Sequence, residues 1–203
     1  MNDESQARVV DVDVQLMLQF KSGSLEAFEE LFSRYAKPVM NFAYRFVRNR
    51  EIAEELVQEI FLRVHDAAPG YRPDARFTTW LYRIATNICL NEIRRPRFKA
   101  IHESLNTPAD CRHDGSARDL EDTSRVGADT LLERRAVSSA LRTALAGLPE
   151  KQRVAFVLNK YQELSYAEVA EVMKTSEKAV KSLIHRAKEA MAERLRPLMP
   201  GLL

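Results

Sequence analysis

The chain has 203 residues, of which 45% are apolar and 30% charged; that is enough to bury one or two small cores, and too apolar for a disordered chain. No apolar run approaches the roughly 18 residues that a membrane span needs, and the opening MNDESQARVV lacks the basic-then-apolar order of a signal peptide, so the expected compartment is the cytoplasm. The formal net charge of +2 conceals a split, with residues 1–96 at −1, residues 97–130 at −2 and residues 131–203 at +5, which fits nucleic acid at the basic end as well as a merely solvated basic face.

Apolar spacing is helical almost throughout, with no sustained alternation that would argue for strands. Asp11 or Asp13 caps a first helix that stops near Gly23. Ser24 caps a second, with Leu25, Phe28, Leu31, Phe32 and Tyr35 as its apolar stripe. Pro38 marks a junction, and helix resumes over VMNFAYRFV. Arg48-Asn49-Arg50 reads as a turn. A helix from about Glu51 to Asp66 ends at Pro69-Gly70. Another runs from Phe77 to Arg95 and stops at Pro96. From Arg97 to about Thr130 the periodicity disappears, and the segment reads as an acidic linker. Helix returns from Leu131 to about Ala146, and Gly147-Leu148-Pro149 breaks it. Three helices follow, over about Glu150–Lys160, Ser165–Met173 and Ser176–Arg196. The predicted fold class is therefore all-α: two small helical domains (1–96 and 131–203) joined by a flexible acidic linker (97–130).

Residues 165–190 carry the clearest chemistry. Ser165 caps the first helix of the pair, with Glu168 at the reciprocal capping-box position; Val169, Ala170 and Met173 face inward. A short joint, Lys174-Thr175-Ser176, leads to the second helix. There Val180, Ile184, Ala187 and Met191 fall on one arc, and Lys178, Lys181, Ser182, His185 and Lys188 gather on the opposite one. A short helix, a tight joint and a second helix greasy behind and basic in front is the helix-turn-helix layout, and that second helix has the width to enter a DNA major groove. Lys178, Lys181 and Lys188 would neutralise phosphates; Ser182, His185 and Arg186 could reach base edges or sugars. The plainer reading is an amphipathic hairpin with a solvated face; the spacing, the polar groups amid the lysines and the local charge excess weigh against it.

The second informative stretch is YRPDARFTTWLYRIATNICLNEIRR, residues 71–95. Phe77, Trp80, Leu81, Ile84 and Ile88 form an apolar stripe, with Tyr82, Arg83, Asn87, Arg94 and Arg95 partly outside it. Aromatics interleaved with arginines suit unpaired bases, which stack on rings while guanidiniums hold phosphates. Taken alone, such a stripe is more often core.

With AEELVQEIFLRVH (53–65), FTTWLYRIATNICLNEIRR (77–95), LPEKQRVAFVL (148–158) and LSYAEVAEVMKTSEKAVKSLIHRAKEAM (164–191) in this order around a tether, the chain resembles a bacterial extracytoplasmic-function sigma factor of the sigma-70 family. The resemblance implies a non-enzymatic subunit of RNA polymerase that selects promoters and helps to open them. It implies core polymerase and promoter DNA as partners, an anti-sigma protein as an inhibitor, and no cofactor. By the same resemblance, Glu55, Gln58, Glu59 and Leu62 fall where the family contacts core polymerase. Arg76, Phe77, Trp80, Tyr82, Arg83 and Asn87 fall at the −10 element, and Lys178, Lys181, Ser182, His185, Arg186 and Lys188 at the −35 element. The tether would thread toward the active centre and RNA exit path, with Asp119, Glu121 and Asp122 as its acidic centre. The sequence departs from the family in three places: Lys174 stands where the joint usually carries Gly, Leu183 where Arg is common, and Thr86 where a basic residue is common.

Rival readings are weaker. Glu55, Glu59, His65 and Asp66 share a helix and could hold a nuclease metal, but a polar docking face explains them more simply. Cys111-Arg112-His113-Asp114 offers too few ligands for a metal site. Cys89 and Cys111 form no CxxC motif, and Cys89 reads as core. No catalytic or metal residue is assigned. An ordinary helix-turn-helix regulator, binding duplex DNA without core polymerase, is the nearest alternative.

Overall fold

The computed structural model describes residues 11–96 and 128–196, including all of their side chains except those of 128–136. Among them are eight α-helices, and no strand. The acidic tether, with Asp119, Glu121, Asp122 and the Cys111–Asp114 cluster, lies outside the described residues.

The helices of the first half begin where short polar side chains satisfy their free N–H groups. Asp11 Oδ1 accepts from Asp13 N at 3.0 Å and starts α1, Val12–Lys21. Gly23 takes φ 107°, which a side chain rarely tolerates, and lets the chain reverse. Ser24 Oγ then accepts from Ala27 N at 3.3 Å and starts α2, Leu25–Val47. Arg48, in the left-handed region at φ 53°, ends α2, and Asn49 Oδ1 accepts from Ile52 N at 2.9 Å to start α3, Arg50–Ala67. A 3-10 turn, Ala68–Gly70, and a loop over 71–76 lead into α4, Phe77–Arg94. Phe42 and Phe46 of α2, Ile60 and Val64 of α3, and Phe77, Leu81 and Cys89 of α4 form the common core, with Met17 and Phe20 of α1 closing one side.

Two expectations for α2 fail. Pro38 does not divide it; the helix runs unbroken through that position. An internal proline removes one backbone donor and costs about 3 kcal/mol, but Leu31 before it and Val39, Phe42 and Phe46 after it are all buried, so packing on both sides holds the helix together. The apolar stripe is also narrower than expected. Leu31 is buried, whereas Leu25 is 63% and Phe32 43% exposed. Leu25 sits at the overhanging first residue of the helix, and Phe32 lies at the rim, edge-on to Phe61 at 4.7 Å between ring centroids.

The second half comprises α5, Ala128–Ala146, α6, Glu150–Tyr161, α7, Tyr166–Met173, and α8, Glu177–Leu195. Helix α5 begins three residues before the expected Leu131. Leu145, Leu148, Val154, Leu158, Val169, Val180, Ile184, Ala187 and Met191 make its core. At the α5–α6 turn Gly147 makes room for a neighbour: a β-carbon there would meet the Arg194 guanidinium at 2.0 Å, and Arg194 Nη1 instead reaches past to donate to the Ala144 carbonyl at 2.9 Å.

The halves are not held apart. Helix α4 packs along α7, and α2 meets α5 and α6.

Candidate nucleic-acid interface

Helices α7 and α8 form the expected pair. The Ser165–Glu168 capping box is complete, with Ser165 N donating to Glu168 Oε2 at 2.8 Å and Glu168 N to Ser165 Oγ at 3.3 Å. Lys174 occupies the joint at φ 51°, ψ 52°. A side chain in this left-handed conformation costs about 1–2 kcal/mol, which is why glycine suits the position. Ser176 Oγ accepts from Ala179 N at 3.2 Å and starts α8. Val180, Ile184, Ala187 and Met191 are buried, as their spacing requires, while Lys178, Lys181, Ser182, His185, Arg186 and Lys188 are all exposed. Among the described residues no carboxylate pairs with Lys178, Arg186 or Lys188. His185 Nε2 lies 3.5 Å from Glu189, and Lys181 Nζ 5.8 Å from the Tyr166 ring centroid. Leu183, where the resemblance suggested an arginine, is half-buried and packs on the core.

The residues of the loop and α4 divide into three groups. Phe77 is fully buried against Tyr35 and Trp80; it is packing, and the expectation that it presents a surface to DNA is corrected. Tyr82 is buried too, with its ring 5.2 Å from Phe42 and its hydroxyl donating to Gln162 Oε1 of the other half. Trp80 is half-buried, at 5.0 Å from Tyr71. Arg76 and Asn87 are exposed and Arg83 is half-exposed. Lys21 Nζ donates to the Tyr71 carbonyl at 2.8 Å and so fixes the start of the loop from α1. Tyr71 itself is buried with its hydroxyl unpartnered, and burial pushes its pKa up to about 12. Thr86, at the position where a basic residue is common, is buried with its Oγ1 unpartnered.

On α3, Glu55, Gln58, Glu59 and Leu62 are exposed together, at the three- and four-residue spacing that places them on one face. Leu62 is 66% exposed, the largest such value among the large apolar residues of the described chain. The opposite face, Leu56, Ile60 and Val64, is buried.

Sequence reading missed the seam between the halves. Arg76 Nη1 lies 3.5 Å from Glu168 Oε1, and Thr79 Oγ1 donates to the same oxygen at 3.3 Å. Arg83 Nη1 stands 4.0 Å from Glu171 Oε1, and Arg94 Nε donates to Glu150 Oε2 at 3.1 Å. The Arg45 guanidinium stacks 3.9 Å above the Tyr161 ring. Arg153 is buried 5.0 Å over Phe46 with its Nε unpartnered; burial lowers its pKa. Burial pushes the nearby Cys89 thiol up to about 12, which leaves it a neutral core group. For Glu168 burial alone would raise the pKa; the hydrogen bonds from Ser165, the Arg76 cation and Thr79 outweigh it and hold the carboxyl below its usual value. The signal that could have exposed the seam is the three-residue spacing of Glu168 and Glu171, which puts two acids on one side of α7.

A helix-turn-helix with a free basic face, built against a helical body with a second set of arginines, defines a DNA-binding specificity factor. The comparisons carry this further. The pattern of Sigma-70 region 2 matches residues 31–98, and that of Sigma-70, region 4 matches residues 138–191. The chain is 31% identical over 194 residues to the RNA polymerase sigma-H factor of Pseudomonas aeruginosa, across 92% of this chain and 95% of that one. It is 32% identical over 187 residues to the ECF RNA polymerase sigma factor SigW of Bacillus subtilis, across 89% and 95%. Among solved structures, CnrH in complex with the cytosolic domain of CnrY superposes with a TM-score of 0.66 at 25% identity, over 92% of this chain and 99% of that one. The chain belongs to the extracytoplasmic-function sigma factors of the sigma-70 family. Its function is that of an RNA polymerase sigma factor, not that of a regulator acting without the polymerase.

Proposed function

We propose a division of this function among three faces. The face of α3 carrying Glu55, Gln58, Glu59 and Leu62 docks on core polymerase. Arg76, Trp80, Arg83 and Asn87, together with Tyr82 once Gln162 withdraws, take the separated strand of the −10 element. Lys178, Lys181, Ser182, His185, Arg186 and Lys188 hold the −35 element as duplex. Residues 1–96 and 131–203 act as separate domains in the holoenzyme, with 97–130 as the tether between them. Opening DNA without nucleotide hydrolysis needs a site that rewards an unstacked base, because unstacking costs a few kcal/mol; a rigidly anchored loop beside an aromatic helix suits that task.

The observation that carries this reading is α8, whose buried Val180, Ile184, Ala187 and Met191 stand directly behind six exposed polar and basic side chains. The chain acts in the cytoplasm, catalyses no reaction itself, and is held inactive by an anti-sigma protein that covers its DNA surfaces. No helix of the described residues is long and apolar enough to cross a membrane, and CnrH was solved bound to another protein. The test is reconstituted transcription with purified core polymerase on a library of random promoters. Discrete start sites are expected; initiation at none, with no inhibitor present, sinks the proposal. In the same assay Leu62→Glu should weaken core binding by about 2 kcal/mol, the scale of an interface hot spot, with an unchanged thermal melt because the side chain is exposed.

A further inference from the structure

We infer that Lys21 is a positioning residue for the separated strand: from α1 it holds the start of the 71–76 loop, so that this helix serves as a splint across the loop that takes the unstacked base. This rests on the proposed assignment of Arg76 and its neighbours to the −10 element.

The loop needs outside support. Among the described residues its backbone makes no hydrogen bond within itself: Tyr71 N donates back to Ala68 O at 3.1 Å, and Arg76 O accepts from Trp80 N at 3.2 Å. A segment with so few bonds of its own loses conformational entropy when it is ordered. If that ordering happens as DNA opens, it weakens capture of the base; if it is complete in the folded chain, it does not. Helix α1 supplies the order at both ends of the loop. Lys21, in its last turn, donates from Nζ to the Tyr71 carbonyl at 2.8 Å, across 50 positions of sequence. Asp13, in its first turn, accepts from the Tyr35 hydroxyl and pairs with Arg34 Nη1 at 2.9 Å. The Tyr35 ring in turn lies 5.2 Å from that of Phe77, the first residue after the loop. The two ties stand near opposite ends of one ten-residue helix, about 12 Å apart along its axis, so both ends of the loop are referred to a single rigid element. The tie at Lys21 also reaches the aromatic face, because the Tyr71 side chain is buried edge-on to Trp80 at 5.0 Å. Lys21 itself is exposed and adds nothing to the apolar core. Its loss therefore frees the loop without opening the first half.

The experiment uses holoenzyme reconstituted with the full wild-type chain, Lys21→Met, Lys21→Arg or Arg76→Ala. The probe is a labelled single-stranded oligomer carrying the −10 element of a promoter selected in the random-library transcription assay, and fluorescence anisotropy reads its binding. Methionine keeps the aliphatic stem and removes the donor; arginine restores a donor. Lys21→Met should bind the oligomer about tenfold more weakly, the net worth of one charge-assisted hydrogen bond. It should also discriminate less between the preferred base and its three alternatives at the captured position, a readout that a merely stabilising residue would not move. Lys21→Arg should recover most of both. Affinity for core polymerase and for −35 duplex should stay at the wild-type level, which also confirms folding. Unchanged oligomer affinity and base discrimination in Lys21→Met overturn the positioning role. A loss shared equally by core binding and −35 duplex binding overturns it too, as general destabilisation, and so does a Lys21→Arg holoenzyme as weak as Lys21→Met. Arg76→Ala separates this inference from the reading beneath it. If Arg76→Ala weakens oligomer binding and Lys21→Met does not, only the splint fails; if Arg76→Ala is silent as well, the strand surface itself is misassigned and the inference falls with it.

Discussion

The two basic surfaces of this molecule are drawn from the same residue types and differ in availability. On α8 six polar and basic groups face solvent, and among the described residues the ion pair they form is that of His185 with Glu189, at 3.5 Å. On the loop and α4, three of the four arginines, Arg76, Arg83 and Arg94, each meet a glutamate of the opposite half, while Arg72 is exposed. The difference teaches that one surface is ready as folded and the other is not: the lysines and Arg186 of α8 need no rearrangement to meet a partner, whereas Arg76, Arg83 and the Tyr82 hydroxyl must give up Glu168, Glu171 and Gln162 to take a new one.

Substitutions can break or sharpen this contrast. The largest effect is expected on the open surface. Arg186→Ala should cost about 1–3 kcal/mol in promoter binding and relax preference at one base pair, if its guanidinium reads a base edge; binding measured across a panel of single-base promoter variants decides it. Lys181→Ala should weaken holoenzyme binding nearly equally at all sequences and reduce the salt slope by about one unit, as the loss of one phosphate contact requires; titrations at several salt concentrations give the slope. On the covered surface Tyr82→Phe removes the hydroxyl that bonds Gln162. It should loosen the closed form by about 1 kcal/mol, the net worth of one such bond, seen as faster hydrogen exchange along α7 with the α1–α3 helices unaffected.

The smallest effect should come from pH. The Glu168 carboxyl is held below its ordinary value, so its contribution is fully present above the ordinary carboxylate range and is lost as pH falls through its own lowered pKa. Its partner Arg76 is 68% exposed, so the pair is screened by solvent and the loss should stay under about 1 kcal/mol. Thermal melts of wild type from neutral to acid pH should fall slightly more steeply than those of Glu168→Gln; parallel curves would remove the ion pair from the account.

Most of the fold was legible because its boundaries are local. Ser24, Ser165 and Ser176 announce helix starts by chemistry confined to a few residues, and the buried arc of α8 follows from spacing alone. Pro38 misled for the converse reason: its local penalty is real, and burial of residues that precede and follow it overrides that penalty. The free face of α8 was legible on the same grounds as its core. The seam was not. Tyr82 and Gln162 stand 80 positions apart, and Thr79 and Glu168 stand 89 apart, so no window of sequence contains both partners. Glu168 was visible only as a cap, and its second bond belongs to tertiary structure. Phe77 and Trp80 were ambiguous between packing and recognition, and only burial separates them.

Arg194 gives the second half an unexpected mechanical wiring. Its guanidinium threads over Gly147 and grips the Ala144 carbonyl, so the far end of α8 is fastened to the end of α5. A displacement of the end of α5 is therefore passed to α8 at the end remote from its joint at Lys174.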